Sequence, residues 1–371
     1  LFNLDFSIHQ GAGFLDGYLF LSREFSAFLY FKEVIMKRYG KIFLLIVCIF
    51  LCSDVYAYAE DYISITGNVR QPLNLSIEDL GRFQTVRVQL NEIMKDGSFN
   101  GVFYYKGVPL RALLDTAYIE KGKTTFSKKI DMAVLVRAED GKEVVLSWGE
   151  IYYRNSSDII IATSASPIIP HKSCASCHDA DFYKPYMDQF DRDIGFPKLV
   201  IAGDAYSDRS IEDIVSIEVI DPRPIKPAVK KMETLFSLKF IITGDVKEEI
   251  TITDISSYPR VEERIKSVGE GKGFHGISDY SGASFKTILD QAGVDQDLTT
   301  VFYVSAPDGY YSLFSYGEIY LNSNEESIII ADMANGEPIK EGGRFFLIPT
   351  EDLMADRDVK SVERIDVFTL K

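Results

Sequence analysis

Hydrophobic positions along this chain alternate between strand-length runs and stretches with helical spacing, a mixed α and β pattern. Ile63 to Val69 predicts an opening strand. The segment after Ser76 predicts a short helix, because Glu78 and Asp79 would fall in a first turn that favours negative charge. Leu110, Leu113 and Leu114 share one side of an amphipathic stretch behind Pro109, which suits a first helical position. Strands are expected on both sides of Asp140-Gly141, a pair that supplies the positive φ of a tight hairpin. Further strands are expected at Ile159 to Ala162, Leu199 to Ala202 and Ile217 to Ile220.

The pattern repeats. Ile63-Ser64-Ile65-Thr66-Gly67-Asn68-Val69 is echoed by Phe240-Ile241-Ile242-Thr243-Gly244-Asp245-Val246. Tyr105 to Leu110 with Leu113-Leu114-Asp115 corresponds to Tyr280 to Phe285 with Ile288-Leu289-Asp290, and Asp140-Gly141 to Asp308-Gly309. Trp148-Gly149-Glu150-Ile151-Tyr152 pairs with Tyr316-Gly317-Glu318-Ile319-Tyr320, and Asp158 to Ala162 with Ser327 to Ala331. A period this long implies duplicated domains rather than a solenoid. The proline-rich stretch Asp221 to Pro227 suits an extended linker between them, giving a first domain at 60–221, a linker at 222–234 and a second domain at 235–371. Ile159 and Ile328 are 169 positions apart, whereas Val219 and Val367 are 148 apart, so the first repeat carries 21 extra residues, at about 169–197.

Ahead of the repeats, Lys37 and Arg38 precede the apolar run Ile42 to Leu51, and Ala57-Tyr58-Ala59 forms a small-x-small pattern. Residues 36–59 therefore read as a cleavable secretory signal, and residues 1–35 as translated upstream sequence. The apolar run is shorter than the ~20 residues of a spanning helix, and no membrane span is expected in the mature chain. These features predict a periplasmic protein. The whole net charge of -15 falls on the part beyond the leader, which makes nucleic acid and anionic membranes poor partners and a basic periplasmic redox protein a good one.

In the opening Ile65-x-Gly67-x-Val69 strand, the Tyr105-Lys106-Gly107-Val108-Pro109-Leu110-x-x-Leu113-Leu114 stretch, the Asp-Gly hairpin before Trp148-Gly149-Glu150 and the closing Ile217-Glu218-Val219, the sequence resembles the molybdopterin-binding domain of the sulfite oxidase family. The resemblance covers both repeats and is stronger in the first. It implies an α+β fold, two tandem mixed α/β domains of that type. The family's molybdenum-ligand cysteine would lie between the second strand region and the Gly-Val-Pro-Leu stretch, yet residues 85–105 hold no Cys, and the second repeat has none. Molybdopterin is accordingly not expected as a cofactor.

Beyond the leader the chain's cysteines are Cys174 and Cys177, followed directly by His178. Two thiols at this spacing suit covalent attachment to the two vinyl groups of one haem, with the adjacent imidazole beneath the iron as proximal ligand. The motif lies in the extra segment, as a functional graft would. A Cys174-Cys177 disulfide and a zinc site of His171, Cys174, Cys177 and His178 are the alternatives. For the distal haem position Met187 is the first candidate, with Tyr183, Tyr186 and Phe190 nearby in sequence to wall a porphyrin; His171, His275 and an open sixth position follow.

These readings converge on a periplasmic electron carrier with one haem c on a degenerate molybdopterin-domain scaffold, more a carrier than a catalyst. A molybdopterin-dependent oxidoreductase with a haem relay, and a non-redox binding module with a disulfide, are the competing functions.

Overall fold

The computed structural model describes residues 62–122, 127–168, 179–222, 235–271, 273–340 and 342–371. The leader, most of the linker, and the residues His171, Cys174, Cys177 and His178 lie outside them.

The segments read as strands in the sequence form strands, and two long hairpins join them. β1 (Tyr62–Gly67) pairs antiparallel with β2 (Leu73–Ser76) and parallel with β9 (Ile214–Ile220); β9 continues to β5 (Ala133–Ala138) and β6 (Glu143–Ser147). A second sheet runs β3 (Val86–Ile93), β4 (Phe99–Pro109), β7 (Ile159–Pro167), β8 (Lys198–Ile201). The rest of the chain repeats this arrangement. One sheet is β11 (Ile250–Ile252), β10 (Phe240–Gly244), β20 (Arg364–Thr369), β14 (Thr300–Ser305), β15 (Tyr311–Ser315). The other is β12 (Val261–Gly269), β13 (Gly273–Ser284), β16 (Ile328–Ala334), β18 (Phe346–Pro349), β19 (Val359–Lys360), with β17 (Glu337–Pro338) on β16.

The expected α+β class is corrected: the protein is mainly β, not a sulfite-oxidase-like α+β arrangement. Its helices are one or two turns long, from four residues at Ile77–Leu80 to nine at Ala180–Asp188, and the layers are sheets. The helical signals were real but short. Asp79 completes a capping box with Ser76, and Pro109 is the N-cap of the helix Leu110–Ala117 rather than its first residue. The balance shifted because the hairpins β3–β4 and β12–β13, with strands of eight to twelve residues, were not anticipated. In β3, Val86-Arg87-Val88-Gln89-Leu90-Asn91-Glu92-Ile93 alternates, but Glu92 is buried and Ile93 exposed, so the apolar pattern does not mark the inner face to the strand's end.

In each half, one core fills the space between the two sheets, with the helices Leu110–Ala117 and Phe285–Ala292 inserted there on their leucine, isoleucine and phenylalanine faces. The other face of each hairpin sheet carries a smaller cluster: Leu90, Phe103, Tyr105, Ile160, Ala162 and Val200 in the first half, Val261, Ile329, Ala331, Phe346 and Ile348 in the second.

The halves meet along a seam with internal two-fold character. Val145 donates to the carbonyl of Leu298 and Leu313 to that of Ile130, both at 3.0 Å, over a shared cluster that includes Leu135, Val145, Tyr303 and Leu313. At its centre lie two fully buried arginines. Arg209 donates to Asp204 at 2.8 and 2.9 Å, to Glu150 at 2.9 Å and to Ser315 of the other half at 3.2 Å. Arg357 donates to Asp352 at 2.6 and 2.7 Å, to Glu318 at 3.0 Å and to Ser147 of the first half at 3.1 Å. Burying a guanidinium is tolerable only with such complete pairing. Each arginine also packs on a glycine of the opposite half: a Cβ at Gly149 would stand 2.1 Å from Arg357 Cδ, and one at Gly317 2.0 Å from Arg209 Nε. This close approach explains why Gly149 and Gly317 occur in both repeats. Trp148 and Tyr316 open the helices here and stack on Tyr152 and Tyr320, with ring centroids 4.4 and 4.6 Å apart.

Candidate functional site

The extra segment of the first half leaves β7 and returns at β8, at the outer face of the first hairpin sheet. Its ends are tied together by Gln189. The Gln189 carboxamide oxygen accepts from Val102 N–H at 2.9 Å and its nitrogen donates to Ile168 O at 3.1 Å, while Ile168 N–H donates to Val102 O at 2.9 Å. Gln189 is buried, so these bonds close the base of the segment out of water. The helix Ala180–Asp188 ends directly before it, and its Met187 is half exposed, at 49%. Asp179, Asp181, Asp188, Asp191 and Asp193 are exposed around it.

Three residues beyond Gln189, Arg192 enters a buried ionic cluster that sequence reasoning missed. Glu92 and Lys198, 3% and 1% exposed, are paired at 2.5 Å. Lys198 also donates to Tyr105 Oη at 3.1 Å and to Glu212 at 3.0 Å, and Tyr105 donates to Glu92. Arg192 pairs with both Glu92 and Glu212, and Gly195 N–H donates to Glu212 at 3.0 Å. Burial and the Glu92 charge push the Tyr105 phenol well above its ordinary value, so it stays a neutral donor. Burial alone would raise Glu212; the Gly195 N–H, Lys198 and Arg192 outweigh it and hold the carboxyl below its usual range. Every charge here is answered, which makes the cluster a structural plug and an anchor for the returning end of the segment. The sequence signal was slight: a Lys opening the apolar strand Lys198–Ile201, and a Glu at an inward position of a strand whose other polar residues face out.

The equivalent place in the second half is open. Register equates Glu92, opposite Gly101, with Ser267, opposite Gly276; Tyr105 with Tyr280; and Lys198, opposite Ala162, with Phe346, opposite Ala331. Glu212, three residues after Arg209, corresponds to Lys360, three after Arg357. Ser267, Tyr280, Phe346 and Lys360 line a cavity of about 380 Å3 together with His275, Tyr310, Asp356 and Asp358. Burial and the nearby Asp352 charge raise the Asp358 carboxyl well above its ordinary range, against the opposing pull of Lys360 and Arg357.

Of the residues expected at a haem, Cys174, Cys177, His178 and His171 lie outside the described residues. Met187 is placed on the helix that follows the motif. His275 is an exposed residue of β13, at a cavity whose described lining is all from the second half. Among the described residues no group of three or more His, Cys, Asp or Glu is placed to hold a metal ion, and no helix is long and apolar enough to cross a membrane.

No protein-family model matches the chain, and comparison with curated proteins gives no match. Among solved structures, the sulfane dehydrogenase SoxCD from Paracoccus pantotrophus is similar over 81% of this chain and 77% of that one, at 14% identity and a TM-score of 0.30. A likeness this slight carries no functional argument.

Proposed function

We propose that the chain is a periplasmic electron-transfer protein with one c-type haem, attached through Cys174 and Cys177, with His178 as proximal ligand and Met187 as the first candidate for the distal one. The observation that carries this reading is the Cys174-Ala175-Ser176-Cys177-His178 motif, standing in a segment that the second half lacks. When bound, such a haem supplies reversible one-electron chemistry between ferric and ferrous iron.

The donor set suits the group chemically: two thiols, an adjacent imidazole and, on the following helix, a thioether half exposed rather than committed to a core. Gln189 and Arg192 would hold the base of the haem-bearing segment on the sheet, limiting its reorganisation on electron transfer. The exposed aspartates around the helix would present an acidic face to a basic redox partner and steer its approach. The leader of residues 36–59 would bring the chain to the compartment where such haems are attached.

The test is the visible spectrum of protein expressed with its leader and a cytochrome maturation system, with a haem stain on a denaturing gel. Sharp c-type bands on reduction and a staining polypeptide, both lost in the Cys174→Ala, Cys177→Ala double variant, are expected. A colourless protein of unmodified mass would end the electron-transfer reading and leave the disulfide or zinc alternatives.

A further inference from the structure

The cavity of the second half is unlike the plug it replaces in holding a carboxyl that no side chain of the described residues pairs or hydrogen-bonds. Asp356, on its wall, is paired with Lys128 and accepts from Glu270 N–H at 3.0 Å. Asp308 accepts from Tyr310 N–H at 3.0 Å. The Asp358 side chain has no hydrogen bond or ion pair among the described residues, and it lies partly exposed against the cavity. Lys360 is exposed at the rim, its ammonium 5.8 Å from the Phe346 ring centroid, and does not pair with it. A partly exposed carboxylate in a concave, ring-lined space, with no partner from the protein, is free to take one from solution.

The remaining walls fit one class of ligand. Phe346 and Tyr280 meet edge to face with centroids 5.5 Å apart, and Tyr310 lines the same space, so the surroundings of Asp358 are aromatic. A carboxylate set among aromatic rings favours a cation with an apolar body, through ion pairing on one side and ring quadrupoles on the other. An anion would meet Asp308, Asp356 and Asp358 with the rim Lys360 as its one lysine. The volume of about 380 Å3 lies in the range of small-molecule sites.

We propose that this cavity binds a small organic amine as its ammonium ion, with the charge on Asp358 and the organic part against Tyr280, Tyr310 and Phe346. The proposal is independent of the haem: it needs no residue of the extra segment.

Isothermal titration calorimetry on the purified full chain tests it, with three probes of one shape: 2-phenylethylamine, neutral 2-phenylethanol and anionic 3-phenylpropanoate. The amine should bind at least about tenfold more tightly than the alcohol, and the anion more weakly still. Asp358→Asn should remove the amine's advantage while leaving the alcohol unchanged. Ser267→Phe, which fills the cavity, should abolish binding of both, and Lys360→Met should leave the amine's preference intact. Equal affinity for the three probes, no binding by any of them, or amine binding unchanged in Asp358→Asn or in Ser267→Phe would overturn the proposal.

Discussion

At equivalent positions on their hairpin sheets, the first half holds Glu92, Tyr105, Lys198 and Glu212, and the second holds Ser267, Tyr280, Phe346 and Lys360. The backbone register is the same; the contents are opposite. One site is a closed network in which every charge has a partner and to which the extra segment is anchored by Arg192. The other is a cavity with a carboxyl that no side chain of the described residues pairs or hydrogen-bonds. At the seam, by contrast, the halves keep the same residues: Ser147 and Ser315, Gly149 and Gly317, Glu150 and Glu318, Arg209 and Arg357. Positions that touch the other half are held by both sides of the contact at once. Positions on the outer faces carry no such mutual constraint, and there the halves have diverged.

The largest effect should come from breaking the plug. Lys198→Met leaves Glu92 buried with one of its two cationic partners gone, and should cost about 3–5 kcal/mol, the range for removing one partner of a buried pair. The same substitution at the lysine of the second half's cavity, Lys360→Met at an exposed rim position, should stay within about 0.5 kcal/mol. Urea unfolding of both variants measures the contrast, and similar losses in the two would show that the halves are not energetically distinct here.

Converting one site toward the other sharpens the same point. Glu92→Ser with Lys198→Phe installs the residues of the second half and removes both buried charges together, leaving Arg192 with Glu212. The double variant should therefore be more stable than Lys198→Met by about 1 kcal/mol or more. If it is less stable, the surrounding packing rather than charge pairing makes the plug.

Much of this was legible in the sequence, but unevenly. The repeat and the Asp-Gly turns were readable because they rest on local chemistry: Gly141 and Gly309 both take φ of +84° in their hairpins. The proportion of strand was not, since β3 and β12 carry charged residues on faces whose burial depends on what later packs there. The same limit hid the plug, whose members are spread from Glu92 to Glu212 and meet only through sheet pairing. The buried arginines were invisible for a related reason, because Gly149 and Gly317 are explained by a side chain from the opposite half. The haem-motif cysteines, the clearest chemical signal in the sequence, lie outside the described residues.

The two sites should also answer pH with opposite signs. The folded-state pKa of Asp358 is raised, so between its ordinary value and that raised value the folded protein binds the proton that the unfolded chain has lost. Its contribution must fall as pH rises through that window, by up to about 1.4 kcal/mol per pH unit for one proton. Glu212 has a lowered pKa, so its contribution is present above the ordinary glutamate range and is lost as pH falls through the lowered value. Differences in unfolding free energy between wild type and Asp358→Asn, followed above the ordinary aspartate range, and between wild type and Glu212→Gln, followed below the ordinary glutamate range, should run in opposite directions with pH. Parallel profiles would mean that at least one carboxyl is not in the environment described.

The most local effect concerns the base of the extra segment, which has no counterpart in the second half. Gln189→Ala removes an acceptor from Val102 N–H and a donor from Ile168 O, two backbone groups at the end of the ladder between β4 and β7. Losing bonds to buried polar groups should cost about 1–2 kcal/mol if water cannot replace the carboxamide, and less if it can. Global stability alone would not separate this from loss of packing, since Gln189 is itself buried. Limited proteolysis does: opening the base should accelerate cleavage between Ile168 and Gln189 without changing cleavage elsewhere, because local opening sets the rate. Gln189→Glu keeps the acceptor for Val102 but loses the donor to Ile168, so it should fall between wild type and Gln189→Ala. If all three are cleaved at the same rate, the segment is held by Arg192 and the plug alone.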